Sequence, residues 1–169
     1  MPRFMHNCLP ALALAVALAG AVQASVIERA LPGAELRGES TFRFVGVPLY
    51  KARLFTHGGA PLDWSRDFAL ELTYLRYLSG ADLVESTLRE LERLGGAPPV
   101  RGQLERCFRD VRRGDSYAAV SKGPDRIGFW NNGQRVCTLS HPGIKGRFMA
   151  IFLGPDTRSA SFTRRLKGE

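Results

Sequence analysis

Along much of the chain's first half, apolar and polar residues alternate with a period of two, the mark of strands that bury one face. In TFRFVGV, Phe42 and Phe44 alternate with Thr41 and Arg43, and Tyr50, Ala52 and Leu54 then alternate with Lys51 and Arg53. The stretch from Glu35 to Phe55 predicts two adjacent strands, broken by Gly46 and Pro48. HGGAPLDW, from His57 to Trp64, reads as a turn by its Gly and Pro content. From Phe68 onward, FALELTYLRYL puts Phe68, Leu70, Leu72, Tyr74 and Arg76 on one face, with Ala69, Glu71, Thr73, Leu75 and Tyr77 on the other. This is a third strand, and its Glu71 and Thr73 face is the expected solvent side.

The period then changes. Ser79, followed three residues later by Asp82, can satisfy orphan amides at a helix start. Leu83, Thr87, Leu91 and Leu94 recur at helical spacing, and Gly95-Gly96 ends the run with residues that accept positive φ. A shorter helix is expected after Pro98-Pro99, burying Leu104, Cys107 or Phe108, and Val111. SYAAVSK reads as a strand, and Asp125 to Ser140 as a hairpin around Asn132-Gly133, since Asn-Gly suits a type I′ turn. Pro142 suits the first turn of a third helix with Ile144, Phe148, Ile151 and Phe152 on one face; Pro155 closes it. Thr157 is the expected cap of a last amphipathic turn bearing Phe162 and Leu166. Strands and helices segregated in this order predict an α+β fold, a mostly antiparallel sheet covered on one face by helices.

Before Ser25 the pattern differs again. Arg3 and His6 precede an apolar run from Leu9 to Ala21, and Val22-Gln23-Ala24 offers small residues where a signal peptidase reads. The expectation is a signal peptide over 1–24, cleaved near Ala24, then one domain over 25–169 that works in the periplasm or outside the cell. The apolar run is shorter than the roughly 20 residues a bilayer span requires, so no transmembrane anchor is expected after cleavage. Cys8 lies before the run and is discarded with it. Cys107 and Cys137 remain, free to form a disulfide in that compartment or to serve as small buried apolar residues.

With 44% hydrophobic and 24% charged residues the chain belongs among ordinary globular proteins, which excludes disorder as an explanation of function. Its net charge of +8 would suit nucleic acid or anionic lipid, yet the arginines are scattered and no nucleic-acid motif accompanies them. No nucleic-acid partner is expected. His57 and His141 stand far apart, and neither His-x-x-x-His nor Cys-x-x-Cys occurs, so no metal is expected. A phosphate-cradling glycine loop and a Gly-x-Ser-x-Gly elbow are also missing, and no cofactor is expected. The informative residue is Arg76, on an apolar strand face that also carries Tyr74. A guanidinium drawn towards a core needs an anion, which a carboxylate ligand, Glu90 or a helix-end carbonyl could supply, or it must reach water along its stem.

LYKARLF at 49–55, ALELTYLRYLSGADL at 69–83 and FMAIFLGPDT at 148–157 together resemble the chalcone-isomerase-like proteins, in their bacterial exported branch. The resemblance spans about residues 35 to 166. It implies an open-faced sandwich, a large antiparallel sheet with a helical layer on one face and a ligand cleft between them. Plant members of that family are enzymes that close a chalcone to a flavanone, with an arginine and an ordered water assisting the enolate. Their helix begins after Leu-Thr-Gly, with a tyrosine three residues past the glycine and an asparagine seven further on. Leu78-Ser79-Gly80 matches the opening, but those two places hold Leu83 and Glu90. A leucine gives no hydrogen bond and a carboxylate repels developing negative charge, so no catalytic residue is assigned.

The enzymes' early-strand threonine falls near Tyr50, and their arginine near Arg37 or Arg43. Non-enzymatic relatives of the fold bind fatty acids, holding the carboxylate with arginine and tyrosine inside an apolar cleft. By that resemblance Arg43, Tyr50, Tyr74 and Arg76 are the candidate ligand-binding residues. The resulting expectation is a non-catalytic protein that binds a small apolar acid, with isomerase activity on chalcone-like enones and a ligand-free structural role as alternatives.

Overall fold

A computed structural model describes residues 25–169; the expected signal segment lies outside them. Six strands form one sheet in the order β1-β2-β3-β4-β5-β6, with every neighbouring pair antiparallel. They are β1 (Ala34–Phe44), β2 (Val47–His57), β3 (Ala69–Tyr74), β4 (Ser116–Ser121), β5 (Arg126–Asn131) and β6 (Gln134–Ser140). The helices are α1 (Val26–Ala30), α2 (Gly80–Arg93), α3 (Arg101–Cys107), α4 (Ile144–Leu153) and α5 (Ala160–Leu166).

Period-two alternation sorts the strand residues onto two faces. Ala52, Leu54, Leu70, Tyr74, Tyr117, Ala119 and Phe129 face the layer of helices and join Leu83, Leu91, Leu104, Phe148, Phe152 and Phe162 in the main core. On the reverse face, Ala34, Phe55, Ala69, Ala118 and Val120 pack with Ile27 of α1. The Glu71 face is therefore partly covered, and Glu71 itself is half-buried beside Arg53 at 3.6 Å. The sequence offers no clear periodicity over the five residues of α1, which folds because Ser25 caps it and Ile27 has an apolar seat.

Local chemistry sets the element ends. Ser79 and Asp82 form the full reciprocal capping box of α2. α4 begins later than Pro142 suggests, at Ile144, and Asp125 accepts the Gly143 amide at 2.7 Å. Ser159, not Thr157, caps α5 by accepting the Phe162 amide, while the Thr157 hydroxyl is 2.6 Å from that of Thr163. Pro48 lies inside β2 and does not break it. Gly38 admits the end of α5, because a Cβ there would stand 2.6 Å from the Leu166 carbonyl oxygen. Arg37 beside it donates to the Lys167 carbonyl at 2.9 Å and to that of Gly168. Cys107, at the end of α3, is joined to Cys137 of β6, their Cα atoms 5.3 Å apart.

Candidate functional site

The helices do not close fully on the sheet. Between the inner face of β1–β5 and the helices α2, α4 and α5 lies a cavity of about 410 Å³, within the range of small-molecule sites, roughly 300–1,000 Å³. Its inner wall is largely apolar, with Phe42, Leu70, Leu72, Phe129, Phe148 and Phe162 among the residues that line it. The rings meet mainly edge-on, Phe129 against Phe148 at 5.3 Å and Phe42 against Phe162 at 5.5 Å. Edge-to-face pairs are favoured by the ring quadrupole. Such a network of rigid rings supports the helices while leaving space beneath them.

Tyr50 and Tyr74 bring the polar groups. They are direct partners across β2 and β3, with ring centroids 6.2 Å apart, and both line the cavity. Neither hydroxyl has a hydrogen-bond partner among the described residues. The contrast is Tyr117, also in the wall, whose hydroxyl donates to the Cys107 carbonyl at 3.0 Å and accepts the Arg109 amide at 2.9 Å. Burial pushes the Tyr74 phenol far above its ordinary value, with Tyr117 nearby adding to it. The Tyr50 phenol is raised further, by burial first and then by Tyr74 and Glu90. Both are permanent neutral donors at any physiological pH.

The rim is charged. Asp82, Glu85, Arg89 and Glu90 of α2 stand there with Arg158 from the connection into α5. Glu90 accepts from Arg93 at 2.8 Å and from Arg158, so its carboxylate ties α2 to the start of α5. Burial pulls the Glu90 pKa upward, but the hydrogen bonds and charges of Arg93 and Arg158 outweigh it and leave the group below its ordinary value. Leu83 and Glu90, the two places that depart from the isomerases, both line the cavity.

The four candidate residues separate. Tyr50 and Tyr74 come together on the cavity wall, whereas Arg43 and Arg76 are exposed and do not line it. Arg43 follows a register shift in β1, and its guanidinium turns back to the Gly46 carbonyl at 3.3 Å. β3 ends at Tyr74, two residues short of Arg76, so the expected alternation does not carry that side chain inward. Arg158, 68 positions from Glu90, had no local signal that could reveal it as a rim residue. Among the described residues no cluster of three or more His, Cys, Asp or Glu could hold a metal ion, and no helix is long and apolar enough to cross a membrane.

No family model matches the chain, and no curated protein matches it. Among solved structures it is similar to the Arabidopsis thaliana fatty-acid binding protein, with a TM-score of 0.61 and 10% identity, over 81% of this chain and 88% of that one. At that identity the likeness shows the fold: an α+β open-faced sandwich of the chalcone-isomerase-like type.

Proposed function

We propose that this protein binds a small apolar carboxylic acid, such as a fatty acid, in the cavity between sheet and helices, without transforming it. The observation that carries this reading is the pair of unpartnered phenols, Tyr50 and Tyr74, in an otherwise apolar chamber. Each phenol can donate one hydrogen bond, neither finds an acceptor among the described residues, and an acceptor from a ligand in the cavity would complete the pair. A methylene chain lying along the phenyl rings would contribute about 0.8 kcal/mol per buried CH₂. The solved neighbour's description as a fatty-acid binding protein supports the same ligand class.

The acid head belongs at the tyrosine pair and not at the arginines singled out from the sequence. The two arginines of the lining, Arg89 and Arg158, are exposed at the rim, and Arg158 is engaged by Glu90. An acid bound at the phenols therefore keeps its proton, and its affinity rises as pH falls towards the ordinary carboxylic range. Cyclisation of a chalcone is disfavoured in the same chamber, since Leu83 donates nothing and the ionised Glu90 opposes an enolate. Export belongs to the same reading: cleavage near Ala24 would release the binding domain into the periplasm or the medium.

Calorimetric titration of delipidated protein with acids of graded length tests the binding. Affinity should rise with chain length until the cavity is full. Tyr50→Phe and Tyr74→Phe should each weaken it about two- to tenfold, the worth of one neutral hydrogen bond. Arg43→Ala and Arg76→Ala should leave it unchanged; a tenfold loss in either would return the anchor to the arginines. No binding across the series rejects the ligand, and chalcone loss that scales with protein concentration rejects the non-catalytic reading. N-terminal sequencing of the exported protein should begin at Ser25, and a chain still starting at Met1 would overturn cleavage.

A further inference from the structure

The chain makes the same kind of tight hairpin twice, with different residues. Between β5 and β6 the turn is Asn132-Gly133, both at positive φ (47° and 80°), the pair that such a turn favours. Between β1 and β2 it is Val45-Gly46, again both positive (48° and 78°). A β-branched residue is strained in that region, where asparagine is not. Val45 gains no burial in return, being 85% exposed, and its neighbours Phe44 and Val47 are 56% and 42% exposed. The fold obtains nothing from this tip that Asn-Gly would not supply.

The surroundings of the tip are basic. The Leu75 amide bonds to the Leu49 carbonyl and the Gly114 amide to the Tyr74 carbonyl, so the end of β3 and the approach to β4 lie at the same end of the sheet as the tip. These segments carry Arg76, Arg112 and Arg113, all exposed, and the hairpin carries exposed Arg43. Tyr77, 55% exposed, stands among them. The acids at this end are Asp82, Asp110 and Asp115: Asp82 accepts from Ser79, Asp110 from the Gly80 amide and the Tyr77 hydroxyl, and Asp115 from the Arg112 amide and the Asn132 side chain, so their charges remain and four exposed arginines stand against three carboxylates. Arginines from separate stretches of the sequence thus share one end of the sheet with an apolar tip. Phe44 and Leu49, at this end, also line the cavity.

We propose that this end of the molecule docks on an anionic lipid bilayer. Phe44, Val45 and Val47 enter the interfacial layer while Arg43, Arg76, Arg112 and Arg113 meet the phosphate head groups. Apolar insertion with basic residues around it is the general physics of peripheral membrane attachment. Docking would bring the Phe44 side of the cavity against the source of an apolar ligand. That consequence rests on the binding function proposed above; the docking itself does not.

Flotation of the mature protein, without ligand, on phosphatidylcholine vesicles with and without phosphatidylglycerol tests this. Binding is expected only to the anionic vesicles, and it should fall as salt rises. Arg76→Gln and Arg113→Gln should each weaken partition about fivefold. Val45→Asn should weaken it too, while the thermal midpoint holds or rises, because asparagine relieves the strained φ, and the acid affinity stays that of the unaltered protein, because Val45 does not line the cavity. Equal flotation of all variants, or none by the unaltered protein, overturns the proposal. So does a dimer in sedimentation that Val45→Asn abolishes without any flotation, which would make the tip a contact between copies. Because acid binding is titrated separately, docking without acid binding would reject only the ligand, and acid binding without docking only the surface.

Discussion

The two faces of one sheet solve the problem of cover in opposite ways. On the reverse face the strands present mostly small residues, Ala34, Ala69 and Ala118 with Phe55 and Val120, and the five residues of α1 suffice to seat Ile27 against them. On the helical face the strands present Phe42, Tyr50, Tyr74, Tyr117 and Phe129, and three helices leave a cavity of about 410 Å³ above them. Large aromatic residues do not by themselves make a tighter core. Rigid rings meeting edge to face resist collapse, whereas alanines let a covering element come close. The hollow face is the more heavily braced, by the Cys107–Cys137 bridge, by Glu90 between Arg93 and Arg158, and by Arg37 on the end of α5.

Removing a brace should therefore show the largest effect. Replacing both cysteines by serine frees a closure spanning 30 residues and should cost roughly 3.5 kcal/mol by the chain-entropy relation. Denaturant titration measures it, and a midpoint insensitive to both the variant and added reductant would show that the helical face holds without the bridge.

A pair of neighbouring alanines separates the faces directly. Ala118→Leu overfills the reverse face and should destabilise by about 1–3 kcal/mol. Ala119→Leu points the same bulk into the cavity, so it should change stability by less than about 1 kcal/mol while abolishing uptake of a long-chain acid. Equal costs at the two sites would mean that the cavity is not open in solution.

The smallest effect belongs to the rim. Glu90→Gln should lower stability at neutral pH by about 0.2–1 kcal/mol, as partly exposed ion pairs do. Because the Glu90 carboxyl is held below its ordinary value of 4.5, its contribution is present above that pH and is lost as pH falls through the lowered value. Melting curves of the two proteins should accordingly converge in acid, and a constant gap down to strongly acidic pH would assign the effect to packing.

How much of this was legible in sequence depends on the range of the interaction. The Ser79–Asp82 box, the glycines after α2 and the Asn132-Gly133 turn involve residues within a few positions, and the structure has them where the local pattern indicates. Tyr50 and Tyr74 were visible as polar interruptions of apolar strand faces, and alternation alone fixes the side on which they lie. Arg76 obeyed the same alternation on paper, but β3 stops at Tyr74 once the chain turns towards α2, and a strand's end depends on its neighbours.

The order of the elements from β1 onward, the face that β1 to β3 turn to the helices and the departures at Leu83 and Glu90 were determined by the sequence by itself, because each rests on local periodicity or residue type; α1 and the cover it gives the reverse face were not. What only the tertiary structure decided is where distant residues meet: that Cys107 reaches Cys137, that Arg158 reaches Glu90, that two phenols share one chamber and that arginines from separate segments lie at the same end of the sheet as Val45. The physical reason is that a cavity and a charge cluster belong to no segment. They arise from the distance at which helices come to rest on a sheet, and for the cavity the packing of side chains from eight separate elements sets that distance.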